Sequence, residues 1–593
     1  MPDSGRFDAA FYLATNPDVA AAGIDPLTHW QTTGWREGRD PNSGFDTRFY
    51  VAGLTEPLAG LDPLEHFAAI GRADGRHPAP PHTPELAAMF GALRRVAVPP
   101  APAVASLAAR ALAAMLAERL VGRRYLCLSI GHDAFAASVG GVQLITAAEQ
   151  LRVGGSHGVH LHLSPAEPVV RLLLDAVDIG TATVASVRRA TSAVPDVRLV
   201  VHSLIGHDPE LLARLARPAE FWLHDYATLC ASPQLLRNDH AFCHAPAPVS
   251  GACTICVHGE GRAALLRRSL AATERARLVA PSDTARAVWS AGAGIDPSRV
   301  EVRPHLTLAP ASHPALARPS VPPTAAARIA FAGTPAFHKG YGHALDLMRH
   351  HSGLTWFATG SLDGATSLSA STGARDPWAL SRALAGAAVD LVLVLSPWPE
   401  TFCLVAHEAI AAGCDVLTLA ASGHAAAVVA TTGRGVVFDD VAAASRWLAD
   451  DAAGYLAGRR ARPPDPLTLA WSGDITSDPE PLLLDGPRVL RPESVGTAWS
   501  WTLPPGHAGA LRLRSRWFVP NWRRPEPYDD RRLGLDVTSI MFDGRPIDLG
   551  ATQGGGWHAA EAFGRWTDGD AALDVGGAAR VVLHTGGAGR YPA

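Results

Sequence analysis

The chain has 593 residues, 47% apolar and 18% charged, with a net charge of −4 and a sequence pI of about 6.7. That supports several buried cores and carries none of the basic surplus of a nucleic-acid binder. No apolar run reaches about eighteen residues, which excludes a spanning helix, and an odd count of seven cysteines argues against a secreted disulfide framework.

The length suggests about four domains. The opening Met1-Pro-Asp-Ser-Gly-Arg6 has no basic stretch followed by an apolar one. The expectation is therefore a cytoplasmic protein, with association at the cytoplasmic face of the inner membrane left open.

Residues 1–80 repeat. Phe7-Asp-Ala-Ala-Phe-Tyr12 returns as Phe45-Asp-Thr-Arg-Phe-Tyr50, and Asp25-Pro-Leu-Thr-His-Trp30 as Asp62-Pro-Leu-Glu-His-Phe67. Each unit reads as two short helices with an Asp-Pro start and a Gly stop. The units resemble repeats appended to bacterial surface-polysaccharide enzymes. Their aromatics and His29 and His66 suit small-core packing, so an accessory module is expected. Residues 81–124 comprise a Pro-rich linker and an Ala- and Leu-rich lead-in helix whose apolar face suits packing on the next domain.

From Tyr125, β-type runs alternate with helical patterns, at Tyr125–Ile130, Val159–Leu163, Val197–His202 and Glu220–His224. That alternation predicts a parallel sheet covered by helices, a Rossmann-like domain over 125–308. Gly140 and Gly141 stand at a helix entrance, where backbone N–H groups can approach an anion. His224 and Asp225 end a strand-like run, the edge where α/β folds keep ligand sites. The segment Cys230-x12-Cys243-x9-Cys253-Thr-Ile-Cys256 offers four thiols. A structural tetrahedral zinc is one reading and free buried thiols the other.

After a Pro-rich linker at 309–327, Arg328-Ile-Ala-Phe-Ala-Gly333 opens a second Rossmann-like domain over 328–462. Lys339, the one lysine in the chain, precedes Gly340 and a helix. Leu391-Val-Leu-Val-Leu395 then reads as a strand buried on both faces, followed by a Pro-bracketed turn, a helix and a second apolar run near Val416. Two acids, Glu400 and Glu408, lie eight positions apart in this βαβ unit, and a carboxylate among Ala, Val, Ile and Phe is costly to bury unpaired. Residues 466–593 carry Trp499, Trp501, Trp517, Trp522, Trp557 and Trp566 amid short alternating runs, which read as an all-β sandwich-like module with most tryptophans in its core.

The stretch Pro399-Glu-Thr-Phe-Cys-Leu-Val-Ala-His-Glu-Ala-Ile-Ala-Ala-Gly-Cys-Asp-Val416 resembles the Glu-x7-Glu signature of the retaining family 4 glycosyltransferases. Glu400, Phe402, Leu404, Glu408, Ala409, Ala411, Gly413 and Val416 fall in register. Cys403 replaces the family's usual Gly and Asp415 its usual Pro. The resemblance covers roughly residues 125–462 and implies the GT-B arrangement, an α/β fold of two Rossmann-like domains facing a cleft. It implies transfer of a sugar from a nucleotide-sugar donor, without a catalytic metal, to a glycan or lipid-linked glycan acceptor.

By the same resemblance, Glu408 holds the ribose hydroxyls and Glu400 the donor sugar, with Gly333, Phe402, Cys403 and Leu404 around the donor. Lys339 places its charge on the diphosphate, His224 lines the reacting face, and Gly140 and Gly141 form the phosphate or acceptor loop. The family's Arg before the Lys is replaced by Thr334 and Pro335, for which His338 or Arg375 are the available substitutes. A nucleotide-sugar epimerase of the same fold, or a non-catalytic glycan-binding scaffold, remain as alternatives.

Overall fold

The computed structural model describes residues 6–54, 57–80, 106–132, 140–166, 168–208, 210–311, 316–359, 364–368, 376–493, 497–525, 527–550, 554–587 and 589–593. The two repeats share one construction. Asp8 and Asp46 accept from the backbone N–H of Phe11 and Phe49 and so start the helices Ala9–Thr15 and Thr47–Ala52. Asp25 and Asp62 do the same for the Pro26 and Pro63 helices. The Tyr12 hydroxyl meets His29 Nδ1 at 2.9 Å, and the Tyr50 hydroxyl meets His66 Nδ1 at 2.7 Å. Both repeat histidines are thereby engaged in packing.

The first large sheet has eight strands: β1 (Tyr125–Ile130), β2 (Gly158–Ala166), β3 (Val169–Leu174), β4 (Val177–Ala182), β5 (Val197–Val201), β6 (Ala219–Trp222), β9 (Arg277–Ala280) and β10 (Val300–Val302). Between β6 and β9 lies a small ribbon, β7 (Leu236–Arg237) with β8 (Ala241–Phe242). The sheet order is β10-β9-β6-β5-β1-β2-β3-β4. The pairings from β10 to β2 are parallel, as the alternating pattern predicts. β3 and β4 instead continue antiparallel from β2. Between β3 and β4, Asp175 and Ala176, both left-handed at φ 48° and 69°, close a tight hairpin in place of a helical crossover. The lead-in helix Ala109–Leu120 buries Leu112 and Leu116 in this domain's core.

The second sheet is all parallel, built from β12 (Arg328–Phe331), β13 (Thr355–Thr359), β14 (Thr366–Leu368), β15 (Leu391–Val394), β16 (Asp415–Leu419) and β17 (Gly435–Phe438) in the order β14-β13-β12-β15-β16-β17. Strand order thus reverses between β12 and β15, the Rossmann pattern. Asp415, at the position where Pro is usual, is 4% exposed and accepts from Arg434 Nε at 3.2 Å, Tyr455 Oη at 2.7 Å and Arg459 Nε at 2.6 Å. It ties the closing helix Ala452–Ala461 to the sheet.

Residues beyond the second sheet form two antiparallel sheets over a shared core that includes Trp499, Trp501, Leu513, Val537 and Leu583. Trp499, Trp501 and Trp517 are buried, and Trp522, Trp557 and Trp566 are half-buried. The borders drawn from proline content are displaced. Strand β18 (Leu467–Trp471) pairs antiparallel with β11 (Leu306–Pro310), so the expected 309–327 linker begins inside a ribbon and residues past 466 belong to it. The module also rests on both α/β domains. Trp517 lies against Gly154, and Trp378 donates to the Asn521 carbonyl at 2.7 Å. Proline marks where the chain bends, which here does not coincide with where contacts stop.

Candidate functional site

A cavity of about 350 Å³ opens between the carboxyl edges of the two large sheets. Each edge contributes at the point where its strand order reverses, the place α/β folds keep ligand sites. From the first sheet come His132 after β1, His202 after β5, and His224 and Asp225 after β6. From the second come Gly333 and Lys339 after β12, then Ser396, Glu400 and Thr401 after β15. Phe402, Cys403, Leu404 and Glu408 complete the second wall.

Gly340, at φ 74°, sets the approach of the Lys339 loop, because a Cβ there would stand 2.1 Å from the Leu395 carbonyl oxygen. Glu400 is held from both sides of its backbone: its N–H donates to the Ser422 carbonyl at 3.3 Å, and its carbonyl accepts from His424 N–H at 3.2 Å. Gly423, at φ 62°, makes this possible, since a Cβ would lie 2.5 Å from Pro399 Cα.

The Glu400 carboxylate is 5% exposed and accepts from Lys339 Nζ at 2.8 Å and from Ser396 Oγ at 2.7 Å. Burial pushes Glu400 up, but the Lys339 ammonium outweighs it and holds the carboxyl below its ordinary range. The Lys339 side chain keeps 38% of its surface open, so water in the cleft screens the pair and its ammonium can turn to a ligand. Residues assigned separately to sugar and diphosphate are therefore partners of each other here.

Glu408 lines the same wall from the helix Leu404–Ala411. Among the described residues its carboxylate has neither an ion pair nor a side-chain hydrogen bond, and burial pushes its pKa up to about 7. Gly333 donates its N–H to Thr359 Oγ1 at 3.0 Å. Phe402 stacks on His424 and His407, with ring centroids 4.6 and 4.9 Å apart. Cys403 is buried at the start of the Glu408 helix, its N–H donating to His424 Nδ1 at 3.1 Å.

On the first wall, Glu149 lies within the helix Gly140–Gly155 and its side chain is 3% exposed. It accepts from His160 Nε2 at 2.8 Å and from His202 Nε2 at 3.1 Å. His202 Nδ1 meets His224 Nε2 at 2.8 Å, and His224 Nδ1 meets His305 Nε2 at 3.2 Å. A carboxylate only accepts. His202 Nε2 and His160 Nε2 therefore donate to Glu149. Burial pushes Glu149 up, but His202 and His160 outweigh it and hold the group well below the ordinary carboxylate range. Burial, with His305 and His202 adding to it, drives His224 well below the ordinary imidazole range, so it stands neutral.

His224 thus lines the cavity with both ring nitrogens engaged, and offers it an imidazole edge. Its neighbour Asp225 accepts from Ser203 Oγ at 2.6 Å and is raised by burial. The two walls touch directly. Tyr226 Oη donates to the Pro399 carbonyl at 3.1 Å, and Thr401 Oγ1 donates to the His224 carbonyl at 2.6 Å.

His338 lines the cavity, where burial and the Lys339 charge lower its pKa to about 4, so its imidazole stands neutral there. Arg375 lies outside the described residues. Gly140 and Gly141 begin a helix whose next turns, at Leu144 and Thr146, reach the cavity, while residues 133–139 also lie outside the described set. Glu149, His202 and His305 were not singled out, because they come from separate elements. The only hint was His160 and His162 alternating within an otherwise apolar strand.

Cys230, Cys243, Cys253 and Cys256 together line a second, small cavity. Among the described residues, the group of three or more metal-type donors whose ligand atoms lie within 4.8 Å of one another is instead Cys127, Glu149 and His160. The network above already satisfies that Glu149.

No family model and no curated protein matches the chain. Among solved structures, Anabaena HepE in complex with UDP-glucose is similar at 14% identity and a TM-score of 0.34, over 56% of this chain and 95% of its own. WaaG, a glycosyltransferase involved in lipopolysaccharide biosynthesis, is similar at 14% identity and a TM-score of 0.34, over 57% and 94%. The sucrose-phosphate synthase of Thermosynechococcus elongatus is similar at 15% and 0.37, over 57% and 93%.

Proposed function

We propose that this chain is a retaining glycosyltransferase that moves a sugar from a nucleotide-sugar donor to a hydroxyl of a glycan or lipid-linked glycan, in the synthesis of a bacterial surface polysaccharide or lipopolysaccharide. One observation carries the reading: the switch points of both sheets open on a single cavity whose second wall holds Lys339, Glu400 and Glu408. A cation, a buried carboxylate and a carboxylate without a partner among the described residues match the diphosphate, hydroxyl-rich sugar and ribose of such a donor.

In this account the donor diphosphate draws the Lys339 ammonium away from Glu400 and meets the N-terminal turn of the Leu404–Ala411 helix. Glu400, kept ionised and fixed by Ser396, then accepts from sugar hydroxyls. Glu408 accepts from the ribose hydroxyls, which favours its charged form. His224 packs its ring edge against the reacting side of the sugar. The bond from the anomeric carbon to the diphosphate oxygen breaks, the acceptor oxygen takes its place on the same face, and the hydroxyl proton leaves with the diphosphate. The terminal repeats and β module are assigned to the acceptor or to a membrane face.

A panel of nucleotide sugars incubated with the full chain tests this. The expected result is release of nucleoside diphosphate from one donor class and a product whose anomeric configuration, read by proton NMR, equals that of the donor. Return of an isomerised donor would identify an epimerase, and no turnover of any donor would identify a binding scaffold.

A further inference from the structure

The segment from Cys230 to His258 forms a compact loop cluster between the first α/β domain and the N-terminal repeats. It contains the β7–β8 ribbon and the short helix Gly251–Thr254. Its four cysteines, from three separate turns, line one cavity of about 20 Å³, room for a single small ion or water.

Two arginines face the same cavity. Arg262 is 2% exposed and donates to the Leu229 carbonyl at 3.0 Å, the Pro246 carbonyl at 2.6 Å and Cys253 Sγ at 2.7 Å. Arg237 donates to the Ala52 carbonyl. Each retains a buried N–H without a partner, Nη2 of Arg262 and Nε of Arg237. Among the described residues neither forms an ion pair with a carboxylate. A buried and a half-buried guanidinium beside four thiols, with no carboxylate paired to either, are a costly arrangement.

We infer that Cys230, Cys243, Cys253 and Cys256 bind one structural zinc ion, with Arg237 and Arg262 as the counter-charges of the tetrathiolate. The charges balance. Four thiols release four protons, the ion and four thiolates carry a net charge of −2, and two arginines offset it while donating N–H to sulfur. In the metal-free arrangement no three of these sulfurs lie within 4.8 Å of one another, and Cys253 is turned to Arg262. Zinc–sulfur bonds of about 2.3 Å require the four sulfurs to draw together when the ion binds.

The site would act as a clasp. Ile255, between two of the ligands, packs in the core of the repeats, and Arg48 of the second repeat pairs with Asp239. His240 stacks edge-on against Phe49 of the repeats and against Phe337 of the Lys339 loop, with centroids 5.6 and 5.0 Å apart. Pro233 and Gln234 of the same segment line the large cavity. Zinc there would hold the repeats on the core and steady one wall of the cleft. This inference does not depend on the reaction assigned to that cleft.

Elemental analysis of the purified full chain should give about one zinc per chain. Cobalt exchange should yield the intense visible bands of a tetrahedral thiolate site. Cys243→Ser and Cys256→Ser, at the two partly exposed ligands, should each lose most of the metal, whereas Cys127→Ser and Cys414→Ser should keep it. Chelation should make four further thiols reactive to a disulfide reagent and raise hydrogen exchange in Thr47–Ala52. If the variants fold poorly, the wild-type metal content and thiol count still decide. A metal-free native chain whose melting temperature and thiol reactivity ignore chelators would overturn the proposal. So would zinc that persists in the Cys243→Ser, Cys256→Ser double variant but is lost in Cys127→Ser.

Discussion

On the first wall of the cleft, Glu149 is fixed by two imidazoles and joined through His202 to His224, and every charged atom in that chain has a protein partner. On the second wall, Glu400 leans on one half-open lysine and Glu408 has no partner among the described residues. The same kind of group, a carboxylate taken largely out of water, is completed by protein on one side and left incomplete on the other. The difference separates scaffold from ligand surface. A wall whose carboxylate is already satisfied by protein loses stability when cut, and a wall with exchangeable partners loses binding.

The largest effect is therefore expected on stability, from the first wall. Glu149→Gln removes the charge two imidazoles donate to and should cost about 3 kcal/mol, read by urea denaturation. The folded carboxyl lies below its unfolded value of 4.5. Its contribution is thus present above pH 4.5 and declines as pH falls below that value, so the Gln variant and the wild type should converge in acid. Equal stability of the two at pH 7 would remove the distinction between the walls.

On the second wall, Lys339→Ala and Glu400→Gln should each lower transfer at least tenfold, about 1.4 kcal/mol of transition-state stabilisation. Full activity in both variants would detach the cavity from the chemistry. The stability cost of Lys339→Ala should stay smaller than that of Glu149→Gln, because its side chain is already 38% exposed.

Glu408 gives the sharpest contrast, since it should respond in opposite senses. Its folded pKa of about 7 exceeds the ordinary 4.5, so its effect on stability is least unfavourable below pH 4.5 and worsens as pH rises through 7. Glu408→Gln should therefore raise the melting temperature at pH 8 and leave it nearly unchanged at pH 4. Hydroxyls bound to the carboxylate favour its charged form, so donor affinity should rise with pH through about 7 in the wild type and lose that slope in the variant. A melting temperature lowered at pH 8 would show that Glu408 is a structural group after all.

These contrasts also mark what the sequence could reveal. Lys339, Glu400 and Glu408 lie in or near one contiguous motif, and the physics that made them conspicuous, charge amid apolar residues, is the physics that leaves them facing a cavity. Glu149, His160, His202 and His305 come together from a helix, one sheet strand and two loops, and each alone looks like an ordinary satisfied side chain. The parallel pairing around β12 and β15 follows from alternating strand and helix patterns. The β3–β4 hairpin depends on two left-handed residues, Asp175 and Ala176, neither of them glycine. Proline content placed the last border before β18, but the register of Leu306–Pro310 with Leu467–Trp471 depends on pairing across a long separation that composition does not encode.

The smallest effect is expected where the walls meet. Tyr226→Phe removes the hydrogen bond to the Pro399 carbonyl and should cost about 1 kcal/mol or less, with donor affinity nearly unchanged. A large loss of affinity would mean that this contact sets the cleft's shape.

The central claim is that the second wall is the binding surface for a nucleoside diphosphate. Calorimetric titration of the full chain with UDP, GDP, ADP and CDP, repeated on Lys339→Ala and Glu149→Gln at a temperature where all three are folded, tests it most directly. The account predicts saturable binding of at least one diphosphate, weakened tenfold or more by Lys339→Ala and little changed by Glu149→Gln. Binding that is lost in Glu149→Gln and intact in Lys339→Ala would contradict it.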